Sequence, residues 1–506
     1  VIWCDTSTDK WYSHDISTDV TRCISKSIHE SFLSAPRDPA FVIFDVPQLS
    51  GASGWTESDA AVLLTSCRDV WKVDPQGVLP SVNLTQHETR GRNLELWRLD
   101  FRSPYNIPWD ETANSIGPDE PVYFSAFDKT TKEAGFLRCN LGVTDRVDEI
   151  ALDTSMCQFS LTCNNFANEQ LPMPPKKAKH ANVYLVNRTS EAEFPNLFLT
   201  QDFAHFRALT HYAPQKDHNW YSTELVRWNV AEGKESEGIL FKPENFDPDK
   251  KYPLIILVYQ VFSSDLHSFI DPQPTGATIN IPEFVSNGYL VFAPNISYTV
   301  GHPGRCALDA VVSAVHRLEQ FPFVDSNRLG LQGHSFGAFE VNYIVTRTGV
   351  FAAAASAAGV SDLVSYYGTA LSGQDYEERG QGRVGATLWG SPELFLDESP
   401  VLKADHVTTP LLILANPADI SVPSTQGQEF FNDLKRLGKK VWLLSYKGES
   451  HVLRVPANQR DYDVRLRQFF DHYLKGALPP RWMTGTTPAE RQGLSGLEFD
   501  SSGKEP

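Results

Sequence analysis

Nowhere in its 506 residues does the sequence hold an apolar run of the ~20 residues that a helix needs to cross a bilayer. The longest candidates, Pro253–Tyr259 and Phe351–Val360, are strand-length or Ala-rich core segments, so no membrane span is expected. Paired cysteines are missing too. Cys4, Cys23, Cys67, Cys139, Cys157, Cys163 and Cys306 are scattered, odd in number, and form no C-x-x-C. That excludes a disulfide scaffold or a zinc framework as the organising device. No H-E-x-x-H occurs, and no metal or cofactor is expected. Positive charge is short: 45 Lys and Arg face 62 Asp and Glu, for a net charge of −17. A nucleic-acid binder needs a basic face, and phosphate would be repelled on average here. No basic stretch followed by an apolar one opens the chain at Val1, so no signal peptide is read; a mature or truncated N-terminus would look the same.

What is present is length and two textures. Domains run to roughly 100–200 residues each, so two or more are expected. The textures meet near residue 218. Before it, short strand-like runs alternate with turn residues. Several share a shape: an aromatic-bearing strand, an Asp, a turn, and a strand closing on Leu-Thr or a similar pair. Trp71–Thr85 and Leu197–Thr210 are the clearest, with weaker versions at Trp11–Ser25 and Val122–Cys139. Such recurrence is what propeller blades produce; a β-sandwich is the alternative. At most about four blades are present, so part of a larger propeller is expected to be missing. Leu171–Lys179, rich in Pro and Lys, reads as an exposed loop.

After residue 218 the pattern becomes β-α-β. Leu254–Tyr259, Tyr289–Ala293, Arg328–Gln332, Leu411–Ala415 and Val441–Tyr446 read as strands. Ala307–Gln320, Phe336–Thr346, Thr425–Leu437 and Tyr462–Leu474 read as helices. The alternation predicts an α/β-hydrolase-like, doubly wound, mostly parallel sheet over 218–480. An all-β, propeller-like domain is expected over 1–217, and a loosely ordered polar tail over 481–506.

Gly333-His334-Ser335-Phe336-Gly337 fits G-x-S-x-G, a nucleophile elbow between an apolar strand and a helix. The bland reading of Ser335 is a helix cap. A serine hydroxyl is a poor nucleophile and needs an adjacent base. Asp419 lies just past the strand Leu411–Ala415, and His451 just past Val441–Tyr446. The order Ser, acid, base fits a triad in which Asp419 fixes the tautomer of His451. His334 occupies the elbow's variable position and is expected to pack. The oxyanion needs donors. The N–H of Phe336 is one; Tyr259, at the end of an early strand, is either the second or a core tyrosine.

With these residues in place, the chain resembles the prolyl oligopeptidase family of serine peptidases, in its dipeptidyl peptidase IV and acylaminoacyl peptidase branches. It looks closest to large propeller-bearing members from Bacteroidetes-type bacteria. The likeness rests on G-H-S-F-G, on D-I-S-V-P from Asp419, on G-E-S-H ending at His451, and on Val258-Tyr259. It also rests on Tyr376–Arg379 and on the run Gly427–Val441. The resemblance implies a propeller that caps the catalytic face and admits short peptides, often cleaved after Pro or Ala. It implies Tyr259 as the oxyanion tyrosine and Tyr376 as a pocket wall; Tyr366 and Tyr367, shortly before it, are added as candidate walls. Export to the periplasm or cell envelope is the favoured location, with the cytoplasm as alternative. Ala338 replaces a second Gly, Ser421 replaces a substrate-touching Asn, and the glutamates that grip a peptide N-terminus cannot be placed. Aminopeptidase, dipeptidyl peptidase and endopeptidase modes stay open. So do a carboxylesterase of the same fold and a non-catalytic propeller protein.

Overall fold

A computed structural model describes residues 1–34, 48–49, 51–86, 91–99, 101, 115–117, 120–142, 146–155, 175–230, 233–369, 373–485 and 496–506. Up to residue 208 the strands form small antiparallel sheets in sequence order. One has three strands (Ile2–Asp5, Lys10–Asp15, Val20–Cys23). Three have four strands: Ala52–Trp55 to Val82–Asn83, Leu94–Arg98 to Val147–Asp153, and Lys176–Lys177 to Arg207–Ala208. Leu33–Ser34 and Gln48–Leu49 pair separately.

The recurring sequence shape has a physical basis. In three sheets it spans the last hairpin, and each hairpin closes with the same reciprocal pair. Ile24, Leu84 and Leu209 donate their N–H to the carbonyls of Trp11, Val70 and Leu197 at 2.9, 2.9 and 2.8 Å. The N–H groups of Trp11, Val70 and Leu197 donate in return to the hydroxyls of Ser25, Thr85 and Thr210 at 2.8, 2.9 and 2.9 Å. The turn Asp accepts N–H bonds ahead of it, as Asp74 does from Gln76 and Val78 and Asp202 from Ala204 and His205. Val122–Cys139 departs from this: it spans the second and third strands of its sheet, one strand early. Lys176–Lys177 is also a correction. It is an edge strand paired with Tyr184 and Leu185, not a loop, while residues 171–174 lie outside the described residues.

From Tyr221 a single eight-stranded sheet takes over. Its strands are β1 (Tyr221–Asn229), β2 (Glu235–Pro243), β3 (Tyr252–Val258), β4 (Leu290–Pro294), β5 (Val324–His334), β6 (Ala353–Ala357), β7 (Leu411–Leu414) and β8 (Val441–Leu444), ordered 1-2-4-3-5-6-7-8. β1, β2 and β4 pair antiparallel and the rest parallel. β3 is buried along its whole length, which is why its sequence is continuously apolar. Alternate residues feed opposite faces. Ile255 and Leu257 pack with helices α1 (Ile281–Ser286) and α8 (Pro456–Lys475). Leu254, Ile256 and Val258 pack with α2 (Pro303–Leu318), α3 (Phe336–Val345) and α7 (Ser424–Arg436). Each such fully buried side chain contributes roughly 1.5–3 kcal/mol. Shorter helices α4 (Leu363–Tyr367), α5 (Gly373–Glu378) and α6 (Pro392–Glu398) form an insertion between β6 and β7.

The two halves touch through charged and aromatic contacts. Lys132, in a hairpin turn of the all-β half, bonds Glu237 on β2 at 2.5 Å, and Arg227 donates to the carbonyl of Thr130 at 2.9 Å. Trp220 donates its indole N–H to the carbonyl of Glu191 at 2.8 Å. In the tail, expected to be loosely ordered, the first turn packs, whereas residues 501–505 are exposed. Helix α9 (Arg481–Thr484) buries Trp482 and Met483. Trp482 bonds Gln468 at 2.9 Å, and the carbonyl of Met483 accepts from Trp442 at 3.1 Å. Two large apolar side chains in a polar stretch are what anchors it.

Candidate active site

β5 runs into α3 through Ser335, whose backbone sits at φ 57 and ψ −118, a sparsely populated region for a non-Gly residue. The flanking glycines are there for space. A Cβ on Gly333 would meet the carbonyl oxygen of Gly337 at 2.3 Å, and one on Gly337 would meet that of Val258 at 2.2 Å. The turn is held by Ser335 N–H donating to the Ala357 carbonyl at 2.8 Å. The helix-cap alternative fails: the Ser335 side chain makes no capping bond.

The Ser335 hydroxyl instead lies 2.8 Å from Nε2 of His451, whose Nδ1 lies 2.8 Å from Oδ2 of Asp419. A carboxylate only accepts, so Nδ1 carries the proton and the Nε2 lone pair faces the serine. The other oxygen of Asp419 accepts the N–H groups of Ser421 and Val422 at 2.8 and 2.9 Å. This locks the buried carboxylate in one orientation. Asn416 ties the acid loop to the histidine loop, donating to the Ser450 carbonyl at 2.8 Å and accepting from Tyr446 N–H at 3.1 Å. Glu449 accepts from the N–H groups of Arg454 and Val455 at 2.7 and 3.0 Å, fixing the loop against the start of α8.

His334 packs, with its ring 4.7 Å from that of His451 and its Nε2 3.1 Å from the His451 carbonyl. Burial, aided by the neighbouring His451, pushes its imidazole down to about 3. It therefore stays neutral and places no charge beside the triad.

Phe336 opens α3, so its N–H has no partner within the helix. Tyr259 follows the end of β3 and is half-buried. Its phenol accepts from the Gln381 amide at 3.1 Å, and its carbonyl accepts from the Tyr298 hydroxyl at 2.9 Å. Tyr298 also bonds Glu340 on α3. Arg383 lies over the rings of Tyr298 and Phe336, 4.3 and 5.2 Å from their centres.

The three tyrosines expected to line a pocket differ in their contacts. Tyr366 and Tyr376 meet edge to face at 5.4 Å, and Tyr366 donates to the Ser421 carbonyl on the acid loop at 3.0 Å. All three tyrosines share one apolar cluster with Phe336 and Tyr259. Within it Tyr367 meets Phe395 and Trp389 edge to face, with its hydroxyl on Glu378 at 2.6 Å. Ala338 is buried against Gly359, where a second Cβ would sit 2.6 Å from its own. Tyr298, Glu340, Gln381 and Arg383 were not singled out from the sequence. One signal was available: Glu340 is the sole charged residue in the apolar helix Phe336–Val345.

A family model for the prolyl oligopeptidase family matches residues 300–477, the span that holds Ser335, Asp419 and His451. Individual relatives are similar over a longer stretch than these 178 residues. An uncharacterized peptidase, YuxL, of Bacillus subtilis is 26% identical over 278 residues, covering 51% of this chain and 40% of that protein. Dipeptidyl-peptidase 5 of Porphyromonas gingivalis is 25% identical over 256 residues, covering 46% of this chain and 35% of that protein. The chain thus spans less than half the length of these relatives. In three dimensions it is similar to an acylaminoacyl peptidase from Pyrococcus horikoshii, with TM-score 0.56 and 17% identity over 84% of this chain and 63% of that one. That likeness includes part of the all-β half and bears on fold alone.

Proposed function

We propose that this chain hydrolyses short peptides as a serine peptidase, through an acyl-enzyme on Ser335. The observation that carries the proposal is the unbroken relay from Asp419 through His451 to the Ser335 hydroxyl, with both links at 2.8 Å. In this mechanism His451 takes the hydroxyl proton as Ser335 attacks the scissile carbonyl. The developing oxyanion is held by the N–H of Phe336 and the phenol of Tyr259. His451 then passes the proton to the leaving amine, and water repeats the sequence to release the acid. The dipeptidyl-peptidase relatives support an amide substrate over a simple ester. The edge-to-face pair Tyr366 and Tyr376 supports a flat slot for Pro or Ala before the scissile bond. Tyr367, turned toward Trp389, is left out of that slot. The all-β half at 1–217 is assigned the part of excluding large folded proteins.

Labelling with a serine-directed phosphonate, followed by a panel of peptide amides and simple esters, tests the reading. Labelling at Ser335 with amide turnover is the expected result. Failure to label would leave the chain a non-catalytic protein, and turnover of esters alone would make it a carboxylesterase.

A further inference from the structure

We propose that Glu340 is a neutral carboxylic acid that, through Tyr298, positions Tyr259 in the oxyanion site. The inference rests on the oxyanion reading of Tyr259 given above.

The Tyr298 hydroxyl lies 2.9 Å from the Tyr259 carbonyl oxygen and in hydrogen-bond contact with Oε1 of Glu340. A phenol has one proton, and a carbonyl can only accept. If that proton goes to Tyr259, the second contact needs a proton from Glu340. If Glu340 were a carboxylate, it would take the phenol proton. The oxygens of Tyr298 and Tyr259 would then face each other at 2.9 Å with nothing between them. The surroundings favour the acid. Glu340 is fully buried, and its Oε2 has no hydrogen-bond partner. Leaving a charged oxygen unpaired there is far more costly than leaving a neutral one. Burial accordingly pushes the carboxyl well above the usual range, against the opposing pull of the Tyr298 bond and the Arg383 charge.

The chain of bonds therefore runs in one direction, from the Glu340 O–H to Tyr298 and from the Tyr298 O–H to the carbonyl of Tyr259. Hydrogen bonds in series strengthen one another. They fix the backbone just past β3, where the Tyr259 side chain departs. Helix α3 then governs both oxyanion donors. It presents the N–H of Phe336 from its first residue, and it sets Tyr259 from Glu340, a little over one turn later.

The test uses the full chain, a short peptide amide, and kcat, KM and melting temperature for each variant. Tyr298→Phe should lower kcat by ~10-fold with KM unchanged. In a Tyr259→Phe background it should cost nothing further, because it acts only through that phenol. Glutamine can donate from its amide as the acid does from its hydroxyl, so Glu340→Gln should keep kcat within about 2-fold. Glu340→Leu should reproduce Tyr298→Phe. Equal losses in Glu340→Gln and Glu340→Leu would overturn the neutral acid. Additive losses from Tyr298→Phe and Tyr259→Phe would overturn positioning through Tyr259. Should Glu340→Leu fail to fold, the near-isosteric Tyr298→Phe and Glu340→Gln still decide. Separately, a Tyr259→Phe variant with full kcat would remove the oxyanion reading itself.

Discussion

Up to residue 208 each strand of the four blade-like sheets pairs with its neighbour in sequence, and three of these sheets close on a repeated pair of bonds. From Tyr221 onward the neighbours are set by crossovers: β4 lies between β2 and β3, and helices cover both faces. The first arrangement makes copies of a local unit. The second brings distant residues to one place. Tyr259, Ser335, Asp419 and His451 each follow the carboxyl end of a strand, β3, β5, β7 and β8, and these ends lie along one edge of the sheet. Backbone strain differs in the same way. In the all-β half, positive φ at non-Gly residues falls at turn positions such as Asp19 and Lys132; in the second half it falls on Ser335, Ala358 and Arg383, of which Ser335 joins a strand directly to a helix. Chemistry is thus expected to be sensitive to the second region, and stability alone to the first.

The largest effect that sharpens this contrast is loss of the relay. Ser335→Ala and His451→Ala should each lower kcat by roughly 10⁴–10⁶-fold, and the double variant should be no worse, because the residues act as a unit. Asp419→Asn should lose less, about 10⁴-fold, by favouring the wrong tautomer. Melting temperatures should stay near wild type. Steady turnover of a peptide amide by Ser335→Ala would end the assignment.

Next in size is specificity. Tyr376→Ala removes the ring that meets Tyr366 edge to face, proposed above as part of the slot. A preference for Pro or Ala before the scissile bond rests on fit, which is worth about 1–3 kcal/mol, or 10- to 200-fold. The variant should flatten that preference more than it lowers turnover of a small ester. Tyr367→Phe, removing a hydroxyl bonded to Glu378, should leave the preference intact. A preference for Lys or Arg that survives Tyr376→Ala would place the pocket elsewhere.

The same contrast explains what was legible in the sequence. The elbow, acid and base could be read because each follows a strand visible as a short apolar run, in a fixed order along the chain. Even the boundaries of β3, β5 and β8 fall within a few residues of their expectation, apart from the four extra residues at the start of β5. β6 was legible only as a core segment, since Ala-Ala-Ala-Ser-Ala lacks the branched side chains that mark strands. Lys176–Lys177 is too short and too polar to show periodicity. Tyr298, Glu340, Gln381 and Arg383 meet across loops far apart in sequence, and no spacing rule reports such contacts. The repeated small sheets were legible because their closing bonds require a hydroxyl at a fixed place, but Val122–Cys139 mimics that shape one strand out of step.

A smaller effect concerns pH. Glu377, on the insertion between β6 and β7, is buried with one oxygen unpartnered. Burial, and then the charge of Glu398, pushes its carboxyl up to about 8. A raised folded-state value means the protonated form is favoured by folding. Its stabilising share is therefore present in acid and is lost as pH rises toward about 8. Glu377→Gln should remove that loss, gaining on wild type by at most roughly 1.4 kcal/mol per pH unit across the window. Denaturant midpoints near pH 5 and near pH 8 measure it. A difference between variant and wild type that does not change with pH would show that Glu377 is not titrating there.

The smallest effect is confined to the all-β half. The Thr85 hydroxyl is buried; it accepts the N–H of Val70 at 2.9 Å and donates to the buried carboxylate of Asp69. Thr85→Val keeps the shape and removes both bonds, leaving a buried N–H without its acceptor. That should cost ~1–3 kcal/mol. Thr210 makes the equivalent bond to Leu197 at 2.9 Å but is only half-buried, so water can replace part of what Thr210→Val removes. The order of destabilisation should follow burial, Thr85 above Thr210, with kcat on a small peptide amide unchanged in both. If the two variants lose equally, desolvation is not what makes the repeated hydroxyl matter. If Thr85→Val lowers kcat without unfolding, the sheets are coupled to the catalytic edge through contacts such as that between Lys132 and Glu237, and the division between a structural half and a chemical half gives way.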